Sequence, residues 1–334
     1  MAKKHATELL ARGRSAFGRI GADQLIVILP YALIAVLFTI FAILHPRFAN
    51  FRNVTGMLTI ASVLLLVAAG ETFVILMGSI DLSIGAMLSS SAIMAAYFFP
   101  YGGWETVVAA IGLGLVSGLI NGCLIVWLRL PSFIITLAMM FAYKGIATAL
   151  TSGYNIAIRS NQFSAIAHGE LIPGVPNIIL WALIAFVIFW YVSERTRAGR
   201  YIYALGGNEP AVRTMGISAN RYRVLAFAMS GLLNGIACVL LSSFLGMAPA
   251  RLGDRYLFNA LIAVVIGGTS IMGGAGGLRR TLIGVLVIVI FDNGAALLGI
   301  DSRMQEVAKG VLLIVAVFLT VLSAKRRGKL VLTK

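Results

Sequence analysis

Val311-Leu-Leu-Ile-Val-Ala-Val-Phe-Leu-Thr-Val-Leu322 is apolar on every side and decides the class of fold. A membrane β-strand would alternate apolar and polar residues, so this run predicts a helix. A spanning helix needs roughly 20 such residues, because the hydrocarbon layer is about 30 Å thick and a helix rises about 1.5 Å per residue. Similar runs recur along the 334 residues, of which 60% are hydrophobic and 12% charged. We therefore expect an all-α polytopic membrane protein.

The hydropathy pattern predicts about ten transmembrane helices, some of them short or broken, with both termini in the cytoplasm. The predicted spans are 24–44, 54–78, 83–100, 105–128, 132–151, 177–193, 223–245, 256–272, 281–299 and 305–323. On this topology 19 of the 27 Lys and Arg residues lie on the cytoplasmic side, six lie outside and two fall within spans. This is the positive-inside asymmetry. The formal charge of +15 thus records orientation and contact with membrane lipid, and does not predict binding to nucleic acid.

The chain divides into a basic amphipathic cytoplasmic segment (1–23), a single transmembrane domain (24–323) and a basic cytoplasmic tail (324–334). Within the domain, residues 194–222 form the one sizeable inner loop and are the expected surface for a cytoplasmic partner. The external loop Ser152–Pro176 contains two prolines, which favour an ordered cap over another helix.

Catalytic, metal and cofactor sites are not expected. The three histidines are scattered, and Cys123 and Cys238 lie in apolar segments with no metal-ligand spacing, so we interpret them as packing residues. The glycine-rich run 267–277 lacks the Lys that a nucleotide-binding loop requires. Its six glycines instead predict the end of a span or a break. Glycines four apart, Gly114, Gly118 and Gly122 in one span and Gly231 and Gly235 in another, predict close helix packing.

Ionisable residues at membrane depth are functional candidates, because a charge there is costly. They are Glu71, Asp81, Lys144, Asp292, Glu306 and Lys309. Glu306 and Lys309 are three apart and are expected to form an ion pair. Asp81 is expected near water at an inner boundary. Asp292 lies deeper, where contact with a ligand and a hydrogen bond between helices are both open interpretations.

Four stretches, termed here the first to fourth blocks, resemble the ribose-type permease family of bacterial ATP-binding-cassette importers. They read Gly70-Glu-Thr-Phe-Val-Ile-Leu-Met-Gly-Ser-Ile-Asp-Leu-Ser-Ile-Gly85, Leu130-Pro-Ser-Phe-Ile-Ile-Thr-Leu137, Ala204-Leu-Gly-Gly-Asn-Glu-Pro-Ala211 with Gly216-Ile217, and Ala263-Val-Val-Ile-Gly-Gly-Thr-Ser-Ile-Met-Gly-Gly274. The resemblance implies a homodimeric inner-membrane permease. It also implies a periplasmic sugar-binding protein and a separate cytoplasmic ATPase, often with two fused cassettes. Ser79 and Ile84 depart mildly from the family pattern.

A sugar is a neutral polyol, so hydroxyl and amide groups within the spans suffice to line its path. The candidate residues for the translocation path are Ser83, Asn121, Thr136, Asn234, Asp292 and Asn293. Each also has a purely structural interpretation, because buried polar groups need partners wherever they lie.

The third block predicts a short helix that contacts the ATPase. Asn208 is a favoured N-cap, Glu209 suits the first turn, and Gly216 suits a left-handed C-terminal residue, which together predict a helix from Glu209 to Met215. Arg213 shares a face with Glu209 and is expected to make polar contacts. The Glu-Ala-Ala-x-x-x-Gly pattern that some importer permeases carry in the loop that meets the ATPase is not matched, since this stretch has one residue too many and a Pro.

Two other classes of function would leave different patterns in the sequence. An ion-coupled secondary carrier would show matching halves with broken helices, and none is recognisable in the sequence. A membrane-embedded enzyme would need a clustered reactive site, which is also lacking. Within the importer class, nucleosides, inositols and branched-chain amino acids are rival substrates, and the sequence does not distinguish pentoses from hexoses.

Overall fold

The computed structural model describes residues 22–326 except residue 252. These residues form twelve helices and one antiparallel pair of two-residue strands. The elements in chain order are α1 (Ala22–Leu44), α2 (Phe51–Leu76), α3 (Ile84–Phe98), α4 (Trp104–Leu128), α5 (Ser132–Thr151), β1 (Ile156–Ala157), α6 (Asn161–His168), α7 (Asn177–Arg195), α8 (Arg197–Thr214), α9 (Ala219–Leu245), β2 (Met247–Ala248), α10 (Gly253–Ile266), α11 (Leu278–Leu297) and α12 (Ser302–Arg326).

Six of the described helices are long and apolar enough to cross a membrane: α2, α4, α5, α7, α9 and α11. The protein is thus a multi-pass membrane protein. Each of the ten predicted spans overlaps a helix, but α3 and α10 have only 15 and 14 residues. At about 1.5 Å per residue neither crosses the hydrocarbon layer unaided. The remaining parts of the predicted terminal segments, residues 1–21 and 327–334, lie outside the described residues.

Helix α2 lies at the centre of the bundle. Every residue from Ala61 to Leu76 is buried. A helix that is apolar on all sides is expected inside a protein or a membrane, and α2 achieves this by packing against α7, α9, α10 and α11. The first block begins in the last turns of α2 and therefore starts in the interior of the protein.

The spaced glycines pack α4 against α9. A Cβ on Gly118 would overlap the Phe227 carbonyl oxygen, and one on Gly114 would lie 2.6 Å from the Gly231 carbonyl oxygen. Backbones can approach this closely only where side chains are missing, so the close packing predicted from the spacing is confirmed. Cys238 is buried as expected, whereas Cys123 is exposed on α4.

The prediction for Ser152–Pro176 was wrong in one respect, because this segment contains a helix. Ser160 caps α6 by accepting a hydrogen bond from the Phe163 amide at 3.2 Å. Next to it, β1 pairs with β2. The prolines at 173 and 176 lie after α6 and so do not interrupt it.

Candidate site for coupling and translocation

The first, third and fourth blocks meet through their backbones. The Gly274 amide donates a hydrogen bond to the Leu76 carbonyl at the end of α2, at 2.9 Å. Gly206 of α8 lies against both groups, since a Cβ there would overlap the Leu76 carbonyl oxygen and lie 2.6 Å from the Gly274 nitrogen. We call this junction of Leu76, Gly206 and Gly274 the glycine contact.

The fourth block ends in a non-helical loop that separates α10 from α11, as its glycines predict. Gly273 and Gly274 have φ of 82° and 70°, which favour glycine because other residues crowd the backbone in that region. The Thr269 hydroxyl accepts a hydrogen bond from the Gly277 amide at 3.1 Å and closes the loop. This fixed loop supplies the rigid side of the glycine contact.

The second block holds the first block by side-chain hydrogen bonds. The Ser132 hydroxyl accepts from the Ile80 amide and the Thr136 hydroxyl accepts from the Leu82 amide, each at 3.1 Å. Ile80 and Leu82 lie in the non-helical segment between α2 and α3, whose amides lack helical partners. The start of α5 thereby fixes the path of this segment.

Asp81 is the centre of a buried polar cluster. The expectation that it lies near water at a span boundary was therefore wrong. Its Oδ1 accepts from the Ser83 amide at 2.8 Å and from the Ser83 hydroxyl at 2.6 Å. Asn121 donates to the Ser83 hydroxyl at 2.7 Å and accepts from the Tyr143 hydroxyl at 3.2 Å. Hydrogen bonds thus replace water around this carboxyl group. Within the described part of the chain it has no basic ion-pair partner.

Glu71 supports the same segment from α2. Its Oε1 accepts from the Asp81 amide at 3.2 Å, and its Oε2 has no hydrogen-bond partner among the described residues. Both carboxyl groups are fully buried.

The six candidate path residues separate into two regions. Ser83, Asn121 and Thr136 belong to the interior cluster, and Asn234 adjoins it by donating to the Ile84 carbonyl at 2.8 Å. Asn293 lies elsewhere, in a pair of hydrogen bonds with Asn53 at 2.8 and 3.1 Å. Each of these residues already has a partner in the chain.

Asp292 forms an ion pair with Lys309, so the expected pair of Glu306 with Lys309 was wrong. Lys309 Nζ lies 3.2 and 3.3 Å from the two carboxylate oxygens and donates to Asn259 Oδ1 at 2.9 Å. The Lys309 side chain is 5% exposed, whereas Glu306 lies on the exposed part of α12. Arg255 approaches Asp292 at 3.9 Å. The cluster joins α10, α11 and α12.

The third block contains the short helix that its capping residues predict. Helix α8 bends at Asn208, whose φ of −160° and ψ of 87° are not helical. Asn208 Oδ1 accepts from the Ala211 amide at 3.1 Å, which is an N-cap bond, and Gly216 follows the helix with φ of 77°. The preceding turns from Arg197, capped by Thr196, were not foreseen. We call residues 208–214 the cap helix.

Glu209 joins the cap helix to α9. It pairs with Arg213 at 2.7 Å, as the spacing predicts, and also with Arg223 at 2.9 Å. Partial burial acts to raise the pKa of Glu209, but the Arg213 hydrogen bonds and the Arg223 charge outweigh it and lower the pKa. The carboxylate therefore stays ionised at pH values below the usual pKa range of Glu.

An open cavity of about 840 Å³ lies beside the cap helix. Its wall consists of the ends of α4, α5 and α9 together with parts of the first and second blocks. Arg129, Arg213 and Arg223 line it. The cavity thus adjoins both the cap helix and the segment that carries Asp81.

Several residues of this site were missed in the sequence. Ser132 could have been found, because it stands inside the second block four residues before Thr136. Tyr143 and Arg223 act through contacts 22 and 14 residues away along the chain, which no local spacing indicates.

Several known proteins are similar to this chain in sequence. A family model described as the permease component of branched-chain amino acid transport systems matches residues 53–317. The ribose import permease of Haemophilus influenzae is 36% identical over 295 residues, covering 86% of this chain and 90% of the relative. The ribose import permease of Bacillus subtilis is 38% identical, covering 87% and 91%. The D-allose transport system permease of Escherichia coli is 35% identical, covering 88% and 91%.

No solved structure matches the chain. The family model and these relatives cover all four blocks. The chain therefore belongs to the transport-system permease family that includes the ribose import permeases.

Proposed function

We propose that this chain is the transmembrane permease subunit of an ATP-binding-cassette importer for a monosaccharide in the bacterial inner membrane. The observation that carries the proposal is its similarity, over most of its length, to permeases named for ribose and D-allose. ATP is hydrolysed by a separate cytoplasmic ATPase, and a periplasmic binding protein delivers the sugar. A second copy of the chain completes the path. Nucleosides, inositols and branched-chain amino acids are the alternative solutes.

Orientation follows from charge. The cap helix, Arg129 and Arg279 lie on the side where basic residues concentrate, which we place in the cytoplasm. On the proposed topology of about ten spans, the α3–α4 turn and α6 face the periplasm.

Thiol labelling tests this orientation. Tyr101 and Met215 are exposed at 89% and 67%, so a cysteine at either position is accessible to solvent. In a background with Cys123 and Cys238 replaced, we expect an impermeant thiol reagent to label Tyr101→Cys in intact cells and Met215→Cys only after permeabilisation. Labelling of Met215→Cys from outside contradicts the topology.

The interior residues act on the path in two ways. The cluster of Asp81, Ser83 and Asn121 fixes the Gly78–Ser83 segment, and part of that segment lines the open cavity. Asp292 and Asn293 instead tie helices together in another region. We propose that these residues shape the path by positioning backbone, with neutral amides and hydroxyls suited to a polyol.

The cap helix is the proposed contact with the ATPase. A helix of under two turns is unstable alone in water. We therefore expect its N-cap and the ion pair of Glu209 with Arg223 to stabilise it. It continues directly into the glycine contact, where backbone meets backbone. A displacement of the cap helix by the ATPase would therefore be transmitted to α2 and the fourth block through direct backbone contacts.

Substitutions in the cap helix test this contact. Arg213→Glu places a second acid beside Glu209, and Gly216→Val places a β-branched residue at φ of 77°. We expect each to leave the permease in the membrane and to lower ATPase co-purification several-fold. The matched controls are Arg197→Glu, which reverses an exposed charge earlier in α8, and Gly216→Asn, which tolerates the left-handed backbone. Parental ATPase retention and uptake in both test variants would place the docking surface elsewhere.

The alternative class is an ion-coupled carrier, which needs no ATPase. Such a carrier predicts uptake that follows an ion gradient. Uptake into vesicles with and without the ATPase separates the two mechanisms.

A further inference from the structure

The open cavity lies at one end of the apolar helices, which the proposed topology places at the inner surface of the membrane. It is bounded by the end of α4 at Leu128, the start of α5 at Ser132 and the start of α9 at Ala219. Membrane helices end where the hydrocarbon layer ends. Trp127, next to the cavity wall, is 77% exposed, as is common for tryptophan at a membrane interface.

The cavity carries excess positive charge. Three arginines line it, and Glu209 balances only one of the charges on Arg213 and Arg223. Within the described part of the chain, the Arg129 guanidinium has no ion-pair partner. A charged group that is left open in this way is available to an anion.

Arg129 occupies a backbone position suited to glycine. It follows α4 with φ of 55° and ψ of 30°, the left-handed conformation that is uncommon for other residues. Glycine commonly ends helices there because it meets no steric penalty. Arginine occupies this position at a conformational cost that glycine would not incur.

Apolar side chains line the cavity together with the arginines. They include Ile125, Val126, Leu130 and Phe133. A short acidic segment would match the arginines but not these apolar side chains, whereas a phospholipid matches both. We propose that the cavity binds an anionic phospholipid, with its phosphate at Arg129 and its acyl chain along Leu130 and Phe133. The proposal rests on the proposed function only in placing this end in the inner leaflet, where anionic lipids are plentiful.

Lipid retention by the purified permease, without ATPase, tests the proposal. Arg129→Gly removes the charge and relieves the backbone strain, so the variant is expected to melt at or above the parental temperature. In native mass spectrometry we expect it to bind phosphatidylglycerol about fivefold more weakly, as the loss of one basic contact at a membrane surface implies. Retention of phosphatidylethanolamine is expected not to change. Arg159→Gln, which removes an exposed arginine away from the cavity, should retain both lipids like the parent.

Equal phosphatidylglycerol retention by the parent and Arg129→Gly would overturn the proposal. So would equal affinity of the parent for the two lipids. Unchanged lipid retention by Arg129→Gly, together with weaker ATPase co-purification in a separate pull-down, would make the cavity a protein contact instead. Because neither sugar nor ATP enters the lipid measurement, its failure is distinguishable from a failure of the proposed transport function.

Discussion

Gly206→Ala is expected to destabilise the permease by about 3 kcal/mol or more and to abolish uptake. The added methyl group would overlap the Leu76 carbonyl oxygen and crowd the Gly274 amide. Both obstacles are backbone atoms, which cannot rotate away as a side chain can. The hydrogen bond between them, 2.9 Å long, would also be lost or stretched. Thermal unfolding in detergent and sugar uptake in cells measure the two effects.

Gly207→Ala is the matched control for this prediction. A Cβ on Gly207 meets nothing within 4 Å, although the residue is the next one in the same helix. Because alanine favours helix more than glycine does, this variant should be neutral or slightly more stable. If the two variants melt at the same temperature, the glycine contact does not constrain the fold.

Asp292→Leu is expected to lower stability by about 3 kcal/mol, because it leaves the buried ammonium group of Lys309 with Asn259 alone. Replacing Lys309 as well, in Asp292→Leu with Lys309→Met, should recover much of this loss, since no buried charge then lacks a partner. The measurement is again thermal unfolding, accompanied by uptake at equal protein levels.

Glu306→Leu is the control that separates the two possible partners of Lys309. Glu306 is exposed, so its removal should change the melting temperature little. A larger loss of stability with Glu306→Leu than with Asp292→Leu would indicate that Lys309 pairs with Glu306, as the helical spacing suggests. Unchanged stability and uptake in Asp292→Leu would make that carboxylate dispensable.

Local signals in the sequence were sufficient for the long apolar helices and for the cap helix, but not for α6 or for the first turns of α8. Apolar runs located the long helices because burial and lipid exposure both demand apolar residues. Asn208 and Gly216 marked the cap helix because capping is decided within a few residues. The break in the fourth block followed from the backbone preferences of glycine for the same reason.

Contacts distant in sequence could not be predicted in this way. Glu306 and Lys309 share a helical neighbourhood, but spacing does not tell which partner another helix brings, and α11 brings Asp292. Asp81 stands near the end of a span, yet Asn121 and its neighbours cover it. The sequences of the blocks indicate the family, but their contact at Gly206 depends on how separate helices pack.

The central claim is that ATP hydrolysis by a partner drives a monosaccharide through this chain. The most direct measurement is radiolabelled ribose uptake into vesicles containing the permease, with the ATPase and binding protein supplied or omitted. The account predicts uptake only when ATP and both partners are present, and no loss when ionophores collapse the ion gradients. Uptake without the ATPase that disappears with the gradient would contradict the account and identify an ion-coupled carrier.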